Sequence, residues 1–200
     1  MTTKQKIVEK ADQLFRTYGI RSVTIDDICK ECGISKKTVY KYYTDKYALA
    51  SKTLKFHYDK LFKEINTIIL DSNNSIIAFL NLSTYFRTTL NQMAPSFVFD
   101  LKKYNPDLYD IHQKSKEKLF VKTLEKVIKD GKNDGLIRKE INENVTSKLR
   151  IEMIESGLNQ DVFPSSKYDF NEIQLISFDL FLRGIITKKG LSIYENKLNN

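Results

Sequence analysis

Apolar residues recur along this chain at helical rather than strand spacing. Ile7, Ala11, Leu14, Phe15 and Tyr18 stand at offsets of 0, 4, 7, 8 and 11, which predicts an amphipathic helix over residues 3–18 with Gly19 as its stop. Thr24 or Ile25 opens a second, short helix. Ile28 is its inward residue, and Asp26 and Asp27 sit in the first turn, where the helix dipole favours negative charge. Gly33 punctuates a turn, since a residue without Cβ takes φ > 0 at no steric cost. Ser35 then occupies an N-cap position, and a third helix runs to about Tyr42. On that helix Val39 and Tyr43 share the inward face, leaving Lys36, Lys37, Thr38, Tyr40, Lys41 and Tyr42 on the outer one. Asp45 caps a fourth helix from Lys46 to about Leu70.

Beyond the turn cluster at 71–75, the stretch from Ser72 to Phe99 holds a single charged residue, Arg87. Its apolar residues cover more than one helical face, so the helix is expected to be buried on most sides, with Pro95 as its breaker. A short helix through Phe97, Phe99 and Leu101 follows, then a long amphipathic one from about Asp107 to Lys132. Gly131 and Gly135 close it, an eighth helix covers about 145–158, and residues 159–168 read as an exposed linker. A last helix, about 171–188, is too apolar for a surface helix. One face can join a core; the other needs a partner, most economically a second copy of the chain. The expected class is all-α, with about nine helices and no convincing strand.

Composition sharpens this picture in three ways. The net charge of +8 points to a polyanionic partner or a membrane surface, and residues 1–50 carry half of it, with ten Lys/Arg against six Asp/Glu. No run of apolar residues is long enough for a membrane span, and no apolar segment follows the first ten residues, so a cytoplasmic protein without a secretory signal is expected. The only cysteines, Cys29 and Cys32, exclude a structural disulfide framework.

The outer face of the third helix has the chemistry of a segment that enters the major groove of DNA. Lys36, Lys41 and Lys46 can neutralise phosphates, Tyr40 and Tyr42 can donate hydroxyls to the backbone, and Lys37 and Thr38, near the helix start, are placed to reach base edges. Ser35 joins them at the cap. Thr24, at a helix N-terminus, can either contact a phosphate or simply cap the helix. The alternative for the whole segment is a solvated basic helix on an unrelated bundle.

The stretch from Ile7 to Leu49 resembles the N-terminal domain of TetR-family transcriptional repressors. The resemblance is carried by Leu14-Phe15, Gly19, Thr24, Gly33-Ile34-Ser35, Thr38-Val39-Tyr40, Tyr42-Tyr43 and Lys46, about a quarter of the chain. One departure is Tyr47, where the family usually has an acidic residue. The resemblance implies a helix-turn-helix DNA-binding domain over 1–48 and a larger helical ligand-binding and dimerisation domain over 49–200. It implies a homodimer on a palindromic operator and a repressor released by a small apolar or amphipathic effector; with only two histidines and no Gly-rich loop, no enzymatic activity and no cofactor are expected. By the same resemblance the effector site lies among the middle helices, with Phe86, Phe97, Phe99, Tyr104, Phe120 and Phe178 as walls. Arg87 would add a bidentate contact to a carboxylate if it points inward, and snorkels or pairs with an acid if it points outward. Arg183-Gly184-Ile185 resembles the family's final helix, so the dimer face is expected at Ile173, Ile176, Leu180, Arg183 and Gly184.

Other chemistry is thin. Cys29-x-x-Cys32 has no second Cys/His pair for zinc and no βαβ context for a thioredoxin-like role, so both cysteines are expected in small core positions, where the family commonly has alanine, with redox sensing as the alternative. His57 and His112 stand alone in sequence. No nucleophile–base–orienter set or phosphate-cradling Gly loop is present. Two other classes remain: a helix-turn-helix regulator without a small ligand, and a helical-bundle carrier or enzyme with an incidental basic face.

Overall fold

The computed structural model describes residues 2–91 and 96–198. Its helices are α1 (Thr3–Tyr18), α2 (Ile25–Cys32), α3 (Lys36–Tyr42), α4 (Lys46–Leu70), α5 (Ser75–Asn91), α6 (Ser96–Tyr104), α7 (Pro106–Lys116), α8 (Lys122–Asn133), α9 (Glu143–Leu158), α10 (Phe170–Ile185) and α11 (Lys188–Leu198). The protein is all-α among the described residues; Ile137 and Ile186 form an isolated antiparallel bridge and no strand. Pro95, the expected helix breaker, lies outside the described residues.

The long amphipathic helix expected from about 107 to 132 is interrupted. A π-helical turn, Glu117–Val121, joins α7 to α8 and turns Leu119 and Val121 into the core. The pattern of apolar residues does not reveal it, because one inserted residue shifts the periodicity by less than two short segments can resolve. The final helix α11 is likewise absent from the elements that the apolar pattern predicts. Its sequence, KKGLSIYENKL, is polar with a glycine near its start, and it buries Gly190 and Tyr194. Gly190 lies against the Leu136 carbonyl, and the buried Tyr194 donates to Asp179 Oδ1 at 2.9 Å.

The chain forms two compact units, residues 1–63 with 92–115, and residues 64–91 with 116–200. In the first, Ile7, Ala11, Phe15, Ile28, Val39 and Leu49 make a dry core with almost no exposure. Buried polar links supplement it. Asp12 on α1 accepts from Arg16 at 3.2 Å and lies 3.4 Å from His57 Nδ1 on α4. Tyr58, the next residue on α4, is hydrogen-bonded to His112 of α7. The two histidines are thus core fittings that tie α4 to α1 and α7.

The second unit packs α5, the π turn and α8 to α11 around Ile76, Leu82, Ile128, Ile137 and Leu182. Ile76, Ala78, Phe79 and Leu82 form the deep face of α5, and much of its remainder is half-buried. Residues 159–168 form a largely exposed loop, as expected.

Because a Cβ on Gly190 would sit 2.4 Å from the Leu136 carbonyl oxygen, backbone must move to admit any side chain there. Gly190→Ala is expected to destabilise the chain by about 1–3 kcal/mol, the usual range for overpacking, measured by urea unfolding.

Candidate nucleic-acid interface

Helix α3 has seven residues, too short to persist alone, so its position is set by what surrounds it. Gly33, at φ +65° and ψ +40°, is left-handed and ends α2 with its N–H directed at the carbonyls of Cys29 and Lys30. The Ser35 hydroxyl accepts from the Thr38 N–H at 3.2 Å and starts α3. Val39 has no exposure and Tyr43 almost none, and this pair seats the helix on the core. Upstream, Thr24 and Asp27 form a capping box: Thr24 Oγ1 accepts from the Asp27 N–H at 3.2 Å, while Asp27 Oδ2 accepts from the Thr24 N–H at 2.8 Å and from its hydroxyl at 2.7 Å. These bonds hold the Asp27 carboxyl below its ordinary range. The Lys6 ammonium donates to the Cys32 carbonyl at 2.9 Å, placing a cation at the C-terminus of α2.

The outward residues then separate into two groups. Lys37, Tyr40, Lys41 and Tyr42 are exposed, and with Thr3, Ser35 and Thr38 they line an open groove of about 750 Å³. Lys36 and Lys46 are engaged internally. Lys36 Nζ pairs with Asp26 at 2.8 Å, an exposed bridge from α3 back to α2. Lys46 Nζ donates to the Arg21 carbonyl at 3.2 Å, and its partial burial lowers its pKa. Thr24 serves its own helix cap, the second of its two expected roles. Thr38 Oγ1 lies 3.0 Å from Ser35 Oγ, so its hydroxyl also has a local partner. Asp45 caps α4 by accepting from the Ala48 N–H at 2.7 Å, and Tyr47 donates to Asp107 at 3.3 Å, linking α4 to α7.

Cys29 and Cys32 are free, buried thiols whose pKa values are pushed up, chiefly by desolvation. That is the small-residue packing expected of them and the opposite of an activated thiolate. No group of three or more metal-ligating side chains occurs among the described residues.

The residues expected to wall an effector site are divided between the two units. Phe86 and Phe120 meet edge-to-face, with centroids 5.2 Å apart, where the π turn faces α5; Arg87 is half-buried on the same helix. Phe178 is buried against Tyr194 and under Arg150. Phe97, Phe99 and Tyr104 belong to α6 in the first unit. Of these Phe97 is buried, whereas Phe99 and Tyr104 are exposed, at 56% and 43%. Those two are surface residues, because α6 is amphipathic and its inward places are taken by Phe97 and Leu101.

Arg150 carries no signal in the sequence, where it looks like any polar residue of an amphipathic helix. Its guanidinium is buried over Phe178 and Phe181, at 5.5 and 5.6 Å from the ring centroids, and donates to Ser177 Oγ at 3.2 Å. Desolvation lowers its pKa to about 10, so it remains a cation at neutral pH.

On α10, Leu175, Ile176 and Leu180 are 50–65% exposed, Ile173 is half-buried, and a Cβ on Gly184 would meet nothing within 4 Å. Arg183 is tied within the chain to Asp179 at 2.9 Å and Glu195 at 3.1 Å. Helix α9 adds exposed Val145 and Leu149, a contribution to the apolar surface that its polar composition conceals.

Residues 7–52 match the family described as bacterial regulatory proteins, tetR family. The chain is 42% identical over 69 residues to YuxN of Bacillus subtilis, an uncharacterised HTH-type transcriptional regulator, covering 34% of this chain and 24% of YuxN. It is 30% identical over 100 residues to IcaR of Staphylococcus aureus, the HTH-type negative transcriptional regulator of the biofilm operon icaADBC, covering 50% of this chain and 48% of IcaR. The chain therefore spans about half or less of the length of these curated relatives. Among solved structures, reduced NemR of E. coli superposes with a TM-score of 0.75 at 14% identity, covering 93% of this chain and 98% of NemR. FadR of Bacillus subtilis, solved with stearoyl-CoA, superposes at 0.72 and 16% identity, covering 90% and 98%. At these identities the structural likeness establishes the fold.

Loss of the α3 cap should be measurable apart from any ligand. Ser35→Ala is expected to cost about 1 kcal/mol in urea unfolding, whereas Lys37→Ala, exposed at the same helix start, leaves stability unchanged.

Proposed function

We propose that this chain, whose N-terminal helix-turn-helix is that of the TetR family, is a sequence-specific DNA-binding transcriptional repressor that acts as a homodimer. The observation that carries this reading is the free outer face of α3. Lys37, Tyr40, Lys41 and Tyr42 project around one open groove, on a helix whose other face is sealed into the core. In this reading residues 1–48 are the reading head and 49–200 the ligand-binding and dimerisation domain. Lys41, Tyr40 and Tyr42 grip phosphates, Lys37 and Thr38 reach base edges, and Ser35 contributes at the cap. Lys36 joins the grip by exchanging Asp26 for a phosphate, an exposed bridge being cheap to break. Lys46 and Thr24 act from the starts of α4 and α2, where free helix N–H groups add to the attraction.

The apolar stripe of α10, with Ile173, Ile176, Leu180 and Gly184, supports a dimer in which two copies bury each other's exposed side chains. Arg183 orders the stripe's edge through its internal pairs rather than by reaching across. Two heads on one dimer read a palindromic operator in successive major grooves. An apolar or amphipathic effector then lowers operator affinity by binding one conformer of the dimer better than the other. Of the expected walls, Phe86, Arg87, Phe120 and Phe178 lie in the second unit with the dimer stripe, and Phe97 is the buried member of α6. Relatives of this fold solved with stearoyl-CoA and with choline support an organic effector. No helix among the described residues is long and apolar enough to cross a membrane, and the DNA that this reading requires places the protein in the cytoplasm.

The test is selection of binding sites from a random duplex pool at two salt concentrations. A palindrome should emerge. Tyr40→Phe and Lys41→Ala should weaken binding to all sequences, with Lys41→Ala lowering the salt slope by about one, while Lys37→Ala or Thr38→Ala should change the preferred base at a cost of about 1–3 kcal/mol. Binding without enrichment would reject the reading.

Leu180→Glu places a charge in the centre of the proposed dimer stripe. Sedimentation equilibrium should show the wild type as a dimer and this variant as a folded monomer with unchanged helical circular dichroism.

A further inference from the structure

An exposed cluster of cations beside the reading head has no role in the contacts described so far. Arg21, in the α1–α2 loop, holds its guanidinium 4.7 Å from the centroid of the Tyr104 ring and donates from Nη1 to the Tyr104 hydroxyl at 3.0 Å. Lys103 holds its Nζ 5.4 Å from the same centroid and 5.3 Å from that of Phe99. Lys102 is exposed next to it. None of the three cations forms an ion pair with an Asp or Glu among the described residues. The acids that flank them on α6 and α7 are otherwise placed: Asp100 is buried, and Asp107 accepts from the Tyr47 hydroxyl.

Two cations on one ring are each attracted by its quadrupole and repel one another. The ring removes much of their conformational freedom in advance, so an anion that binds both has less ordering to do. The relieving charge has to come from outside the cluster. Its location says which anion. The Arg21 carbonyl accepts from Lys46, the first residue of α4, and Thr24, three residues beyond Arg21, caps α2. The cluster therefore continues the basic surface of α3 around the starts of α4 and α2, within one compact unit. A regularly spaced row of phosphates is the polyanion that a basic surface in the same unit as α3, beside the start of α4, would meet.

We propose that Arg21, Lys102 and Lys103 form a second phosphate-binding surface that grips duplex DNA outside the segment α3 enters. This rests on the DNA-binding reading above. Tyr104 is the positioning residue that pre-orients Arg21 and Lys103. The grip is on the sugar–phosphate backbone alone, so it lengthens the footprint of each reading head without adding sequence preference.

The experiment uses the full chain and the duplex recovered from pool selection, made as the core alone and with about eight random base pairs added at each end. Wild-type protein should bind the longer duplex more tightly and with a steeper salt dependence. The double variant Lys102→Gln/Lys103→Gln should match wild type on the core and lose the gain from the flanks. Its salt slope on the long duplex should fall by about two per reading head, near 0.9 for each phosphate that is no longer neutralised. Tyr104→Phe, which keeps the ring, should retain most of the gain, whereas Tyr104→Ala should lose much of it. Circular dichroism checks that each variant folds. An equal loss on both duplexes, or no loss on either, overturns the proposal. Failure of the DNA-binding reading would look different, because wild-type protein would then enrich no core.

Discussion

The left-handed turn at Gly33 is the constraint on which the interface depends. It lets α2 end and α3 begin within three residues, and so fixes the direction in which a very short helix leaves the core. A side chain at that position would be strained whatever space is available, since φ there is +65°. The caps on either side complete the device: Thr24 and Asp27 start α2, and Ser35 starts α3. Burial of Val39 and Tyr43 then converts orientation into position. The outer residues of α3 need contribute nothing to stability, which leaves them free for recognition.

Cations in the first unit divide according to what holds them. Lys6 and Lys46 bridge elements by bonding to a helix-terminal carbonyl and a loop carbonyl, Arg16 pairs within α1 with the buried Asp12 carboxylate, and Lys36 spans α2 and α3 through Asp26. Lys37 and Lys41 face the open groove, and Arg21 and Lys103 face solvent across Tyr104. Lys36 lies between the classes, because an exposed bridge is worth little and a phosphate can replace its acid. Net charge does not separate these groups. Only the second kind offers a polyanion something to bind at small cost to the fold.

The second unit uses its cations differently. Arg150 is kept charged in the interior by two aromatic rings and one hydroxyl, where a carboxylate would be the more usual companion. In the same unit, the π turn at Glu117–Val121 brings Phe120 to Phe86. Aromatic residues that are equivalent in sequence therefore have distinct duties. Phe178 supports a buried cation, Phe86 and Phe120 pack on each other, and Tyr104 holds surface cations.

Much of the helix-turn-helix was legible in the sequence because its determinants are local. Capping boxes, a turn glycine and apolar residues three or four apart act over a few residues, and Thr24, Gly33, Ser35, Val39 and Tyr43 each do what their chemistry and spacing imply. The apolar excess of α10 likewise announced a face in need of cover. What the sequence could not convey was long-range pairing. Whether Lys46 meets a phosphate or the Arg21 carbonyl, whether Tyr104 walls a cavity or braces Arg21, and whether KKGLSIYENKL forms a helix on Leu136 are set by segments 25 to 83 residues apart. Local sequence determined which residues form each element and which face turns inward. The tertiary structure decided which outward charges stay free, because a charge is claimed by whatever partner folding brings within a few ångströms, and that partner is seldom a neighbour in the chain.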